Sequence, residues 1–331
     1  MTRFPLLALI LALLTGSAMP ALAGATQCLE NFAGGVAPTI TNPKLQGRMQ
    51  EICFEAFAVL HSGVTRTPLY SAEHLTQANL EEAKKLSRKD SFHAESQLPP
   101  QDRSELSDYA RSGYDRGHMS PNADFANRTA QAESFSLANM VPQMHANNAG
   151  IWSGIESAAR QLATEEGDVY VVSGPAFIGS DIQQVGNVLV PTHLWKVLYS
   201  PKQHRAGAYV ITNDETREYS TVTVSDLEKM VGIKLLPALP QTVRDAGMDL
   251  PKPIAQRRRG KKSKSVDDAQ SEQSEQSEQS EQSEQSGQSG QAGQAGQAGQ
   301  AGQVSQAAPE EFTMRDFSRS ILDAINRASQ R

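Results

Sequence analysis

Long apolar runs, cysteine and surplus positive charge are all scarce in this chain, and each shortage excludes something. Beyond the N-terminus no apolar stretch approaches the ~18 residues of a membrane helix, so no stable membrane insertion is expected. Cysteine occurs only at positions 28 and 53, too few for a four-thiolate zinc site. In an exported chain such a pair reads as a disulfide, closing a loop of ~25 residues and contributing about 3 kcal/mol on the chain-entropy view. Two buried free thiols are the alternative. The 31 basic residues are outnumbered by 37 acidic ones, a net charge of −6. That balance argues against a protein coating nucleic acid through bulk charge, while leaving room for a local cationic cleft and a bound metal.

The two ends differ from the middle. Arg3, the apolar stretch Leu6 to Leu14 and the small-x-small motif Ala21-Leu22-Ala23 read as a secretory leader over 1–23. The expected address is exported, periplasmic or extracellular, with the mature chain starting at Gly24. Residues 251–308 include a basic run from Arg257 to Lys264, Ser-Glu-Gln triplets from Ser271 to Gln285, and Ala-Gly-Gln repeats to Gln303. Almost nothing there is apolar, so ordering entropy goes uncompensated and a disordered linker is expected. The basic run reads as a solvated charge block or a nucleic-acid arm. Residues 309–331 carry Phe312, Phe317, Ile321, Leu322 and Ile325 near helical spacing, an amphipathic helix whose protein partner the sequence leaves unknown.

Residues 24–250 have ordinary globular composition and suit one domain. Short strands are predicted at Phe54–Leu60 and Thr67–Tyr70 around a Ser62-Gly63 turn. Leu75–Leu86 is helical or a loop with one helical turn. A buried strand at Val169–Ser173 is expected to stop at Gly174-Pro175. Leu194–Tyr199 and Ala206–Ile211 read as paired strands, and Ser225-Asp226-Leu227-Glu228 as a capping box opening a short helix that ends near Gly232. Strands outnumber helices without alternating with them, which predicts an α+β domain around an antiparallel or mixed sheet.

Chemistry concentrates in Tyr114-Asp115-Arg116-Gly117-His118-Met119-Ser120-Pro121-Asn122. A histidine can take a proton from water near neutral pH. Arg116 offers planar donors suited to a phosphate oxygen. Gly117 permits an unusual backbone path beside them, and Asp115 can orient a neighbour or tie down the strand. Downstream, Ile151, Ile155, Ala158, Ala159 and Leu162 form the apolar stripe of a helix over Ala146–Glu165. Asn148, Trp152 and Glu156 follow at i, i+4 and i+8 on a neighbouring stripe. An asparagine amide oxygen is a hard neutral ligand that suits Mg²⁺, and Glu156 can hold the waters such an ion retains. Read singly, Asn147-Asn148 is a helix N-cap and Glu156 a solvated helix face.

Asp115-Arg116-Gly117-His118, followed by Asn139-Met140-Val141-Pro142-Gln143, Asn148, Trp152 and Glu156, resembles the DNA/RNA non-specific endonucleases, the ββα-metal group that includes endonuclease G. Thr67-Pro68-Leu69-Tyr70 and Val231-Gly232-Ile233 extend the resemblance over roughly residues 50–240. It implies the ββα-metal nuclease fold with a mostly antiparallel central sheet, and DNA and RNA as substrates. His118 would be the general base and Asn148 the sole protein ligand of one Mg²⁺, with Mn²⁺ able to take its place. Glu156 would hold metal-bound water, Asn139 would hold the site in shape, and Arg116 and Arg88 would bind phosphate. Products would carry 5′-phosphates. Asn147, one residue out of the family spacing, is the competing ligand. Two other readings stay open: a catalytically silent, nuclease-like envelope binding module tethered by the repeat tail, and a zinc hydrolase built on His118 with His93 or His145.

Overall fold

The computed structural model describes residues 28–254. The leader 1–23, the repeats of the linker and the amphipathic helix 309–331 lie outside the described residues. Nine strands matter for the site: β1 (Met49–Cys53), β2 (Phe57–Ser62), β3 (Thr67–Thr76), β4 (Tyr114–His118), β5 (Met140–Met144), β6 (Asp168–Ala176), β7 (His193–Ser200), β8 (Arg205–Thr212) and β9 (Ser220–Val222). Seven of them form one sheet in the order β9-β8-β7-β6-β3-β2-β1, with every pairing antiparallel. The expected α+β class with an antiparallel sheet is what the chain adopts.

Period-two alternation decides what lies on each face of this sheet. Trp195, Val197, Ala208 and Val210 point to one side, where they pack on Phe32 and on the helix Val224–Val231 through Val224, Leu227 and Val231. Leu194, Leu198, Val169, Val171 and Tyr209 point to the other, under a helix that runs Ser153–Glu166. That helix buries the apolar stripe read from the sequence, Ile155, Ala158, Ala159 and Leu162. Each fully buried Leu or Ile contributes about 1.5–3 kcal/mol. On this second face the apolar pattern is broken by four buried polar residues, Ser71, Glu73, Ser173 and Lys196.

The chain leaves the sheet after Thr76 and re-enters at Asp168, its register partner. The excursion between them holds the helix Gln77–Ala83, the two-stranded β4–β5 sheet and the Ser153–Glu166 helix. Cys28 and Cys53 are disulfide-bonded with Cα atoms 5.8 Å apart, which fastens the first described residue to the edge strand β1. No helix among the described residues is long and apolar enough to cross a membrane.

Three local expectations change. Strand β6 does not stop at Gly174-Pro175. Its pairing with β3 ends at Ser173, so on that side Pro175 interrupts no ladder, while its other side stays paired with Leu194 of β7. A side chain at Gly174 would run into the Trp195 ring and the Leu69 carbonyl. The helix expected over Ala146–Glu165 is broken: a short turn His145–Asn147 and a wide π-turn Asn148–Trp152, with non-helical backbone at Gly150, precede the regular part. Finally, the cap of helix Val224–Val231 is Thr223, whose hydroxyl accepts from the Asp226 N–H at 3.1 Å. Glu228 instead accepts the N–H groups of Leu235 and Leu236 and pairs with Arg244.

Candidate active site

Strands β4 and β5 form a hairpin-like pair in which Gly117 lies opposite Val141 and His118 opposite Met140. Gly117 is required by a close approach: a Cβ there would overlap the Gln143 side chain. That side chain donates to Asn147 Oδ1 at 2.7 Å, and Asn147 Nδ2 donates to the Thr212 carbonyl at 2.7 Å. Asn147 is wholly buried and both ends of its amide are used inside the protein. It acts as a tie between β5 and β8.

His118 ends β4. The Trp152 indole N–H donates to its carbonyl at 3.0 Å, so the π-turn and the histidine strand are joined. Asn139 anchors the next turn by accepting the Ser120 N–H at 3.0 Å and donating to the Ser120 and Ser134 carbonyls. The imidazole stands edge-on to Phe135 at 5.0 Å and tilts against Phe92 at 5.7 Å. The same two rings carry the arginines: Arg116 lies 4.1 Å over Phe92 and Arg88 5.1 Å over Phe135. Burial, and then the Arg88 and Arg116 charges, push the imidazole pKa down to about 3. His118 is 7% exposed and its Nε2 has no partner. The imidazole is therefore held neutral throughout the neutral range.

Asp115 resolves as an orienting residue. Its Oδ2 accepts from Asn148 Nδ2 at 2.9 Å and from His145 Nδ1 at 2.9 Å. With its amide N–H₂ used in this way, Asn148 keeps a carbonyl oxygen as acceptor, the hard neutral donor a Mg²⁺ ion takes. Glu156 is half-buried and its side chain makes no hydrogen bond to another described residue. Burial raises its pKa to about 7, against opposing charges on Arg160 and Lys196. A nearby cation would restore the ionised form. One neutral oxygen and one half-buried carboxyl therefore fit a divalent ion that retains most of its waters. Among the described residues no cluster of three or more His, Cys, Asp or Glu is placed to hold a metal by itself.

Five of the six expected site residues, His118, Arg116, Arg88, Asn148 and Glu156, line one cleft of about 830 Å³. The sixth, Asn139, lies fully buried beneath it. His145 is engaged with Asp115, and His93 Nδ1 meets the Ser91 carbonyl at 2.8 Å, so neither joins His118 in a ligand set. Sequence reasoning missed the aromatic pair Phe92–Phe135, which carries His118 and both arginines. It also missed Arg160, a cleft residue held by the buried Asp124 at 2.7 Å. Arg160 follows Glu156 by one helical turn, a spacing that would have placed both on one face.

Residues 37–242 match the family described as DNA/RNA non-specific endonuclease. The mitochondrial nuclease EXOG of Danio rerio is 37% identical over 198 residues, 53% of this chain and 57% of that protein. Nuclease C1 of Cunninghamella echinulata is 34% identical over 200 residues, 54% of this chain and 79% of that one. The crystal structure of an EndoG/EndoGI complex aligns with TM-score 0.55 and 26% identity, covering 58% of this chain and 88% of the aligned chain. The match thus spans little more than half the length of the zebrafish relative. These relatives also correct the exported address expected from the leader. The zebrafish, human, Schizosaccharomyces pombe and Saccharomyces cerevisiae proteins are all named as mitochondrial, which points away from the periplasm and the extracellular space. Residues 1–23 hold a single arginine and a single serine, not the Arg- and Ser-rich composition of a transit peptide, so this correction comes from the relatives and not from the composition of the segment.

Proposed function

The chain belongs to the DNA/RNA non-specific endonuclease family, and from that premise we propose that it hydrolyses phosphodiester bonds of DNA and RNA without strong sequence specificity. The observation that carries this reading is the convergence of His118, Arg88, Arg116, Asn148 and Glu156 on one cleft. The catalytic domain is residues 24–250, with 251–308 as linker.

In the proposed reaction His118 accepts a proton from the attacking water, whose oxygen bonds to phosphorus as the bond to the 3′ oxygen breaks. The departing 3′ oxygen takes a proton from solvent water, so a 5′-phosphate and a 3′-hydroxyl result, and His118 returns its proton to solvent. Arg88 and Arg116 bind the non-bridging phosphate oxygens with permanently charged, planar donors. A phosphate between them offsets the two charges that depress His118, so the imidazole becomes a better base when substrate is present. Asn148 would hold the Mg²⁺ ion, or Mn²⁺ in its place, Glu156 would orient the ion's waters, and Asn139 keeps the segment after His118 in register. The ion, when bound, supplies charge stabilisation at the phosphorane-like transition state and at the leaving oxygen.

The test is cleavage of plasmid DNA and of RNA by the purified protein, with and without Mg²⁺. Degradation of both, stopped by chelator, supports the reading. Binding without cleavage across several divalent metals would replace it with the silent binding module.

A further inference from the structure

The backbone after the proposed base is gripped in an unusual way. The carbonyls of three successive residues each accept from a buried side chain of a different element. Trp152 Nε1 donates to His118, Lys196 Nζ to Met119 at 3.0 Å, and Asn139 Nδ2 to Ser120 at 2.8 Å. Two of these side chains belong to the family pattern read from the sequence. Lys196 does not.

Lys196 rises from β7 in the middle of the sheet and is 1% exposed. Its ammonium also donates to Ser173 Oγ at 2.6 Å and lies 5.1 Å from the centre of the Trp152 ring. It therefore touches one of the two neighbouring grips on the segment, the Trp152 ring. It forms no ion pair among the described residues; Glu73, wholly buried nearby with neither oxygen partnered, acts on it through charge alone. Burying an ammonium against neutral acceptors costs several kcal/mol. An apolar side chain of similar length would fill the space more cheaply, so packing does not account for a cation here.

We propose that Lys196 is a positioning residue for the reaction: it fixes the Met119 carbonyl and the Trp152 ring, and through them the orientation of the His118 imidazole. This rests on the reading of His118 as base. It also separates two properties that normally move together. Replacing a buried charge by an apolar isostere is often neutral or stabilising, whereas a base displaced by as little as 1 Å loses about 10²-fold in rate.

The experiment uses the full chain and two variants, Lys196→Met and Ser173→Ala. Kinetics on DNA with Mg²⁺, thermal unfolding, and NMR of the histidine ring resonances are measured side by side. The His118 signals are identified by their loss in His118→Ala. For Lys196→Met the expected result is a kcat about tenfold or more below wild type, unchanged KM, a Tm close to wild type, and shifted or broadened His118 resonances. Ser173→Ala, which releases one restraint on the ammonium, should shift the same signals less. A lower Tm with wild-type kcat per folded molecule and unmoved His118 resonances would overturn the proposal. If Lys196→Met does not fold, Ser173→Ala decides on the same two criteria. If wild type itself does not cut nucleic acid, the functional reading has failed, and the ring resonances still report whether Lys196 positions His118.

Discussion

His118 is held as a neutral imidazole by burial and by two arginines, and it receives no hydrogen bond at Nε2. His118→Ala should keep its fold and lose roughly 10²- to 10⁴-fold in cleavage rate, the usual contribution of a general base; a plasmid-nicking assay showing wild-type rates would remove His118 from that role. The neighbouring asparagines should separate. Asn148→Ala is expected to shift the Mg²⁺ titration of activity with little change in Tm. Asn147→Ala breaks two buried hydrogen bonds and should cost about 1–3 kcal/mol in unfolding experiments; a reversed outcome would exchange their assignments. Glu156 gives a pH signature in metal-free protein. Its folded pKa of about 7 lies above the ordinary 4.5, so the folded state holds the proton more tightly than the unfolded chain. Stability from this group is full below the ordinary value and is lost as pH rises through 7. Glu156→Gln, measured in chelator, should therefore raise Tm over wild type at pH 8 and scarcely at all at pH 5, and added Mg²⁺ should erase the gain. A pH-independent difference would contradict this. At this scale the sequence was legible where function is contiguous, as in Asp115 to His118. Phe92, Phe135, Arg160 and Lys196 were not read because each acquires its meaning from a contact between segments far apart in the chain. Asn148 was preferred to Asn147 on spacing alone, because adjacent identical residues differ otherwise only in which way the turn points them.

At the scale of elements, the strands were read well because alternation survives on both faces of the sheet. The departures came where a tertiary contact overrode a local rule. Pro175 is tolerated because the pairing of its strand with β3 ends at Ser173, and the expected continuous helix opens into a π-turn at Asn148–Trp152. That wider turn changes the phase of the helix just where Asn148, Trp152 and Glu156 must serve three different neighbours: Asp115, the His118 carbonyl and the cleft. Such π-turns are frequent at functional sites. The β4–β5 pair supplies a further test. Gly117→Ala places a methyl group where the Gln143 side chain lies, so Gln143 must leave Asn147. Overpacking of this kind typically costs about 1–3 kcal/mol. Both Tm and cleavage should fall, and a variant with wild-type values would show that Gln143 has another place to go.

For the whole molecule, the disulfide spans 25 positions and ties the N-terminal segment to the sheet edge. A Cys28→Ser, Cys53→Ser double variant should lose about 3 kcal/mol, roughly 6–12 °C in Tm for a domain of this size, while the folded protein keeps its activity, because neither cysteine lines the cleft. An unchanged Tm would mean that the bond constrains little in the unfolded chain. The excursion from Gln77 to Gly167 carries a different consequence. Every residue proposed to touch substrate lies within it, yet the ties that shape it come from strands made later: β6 closes its base through Asp168, Lys196 of β7 grips Met119, and Thr212 of β8 holds Asn147. During synthesis, then, the histidine, the arginines and the asparagine all leave the ribosome well before the scaffold that aligns them. Order of synthesis thus delivers the side chains of the cleft first and the strands that align them last, with Thr212 among the final ties to emerge.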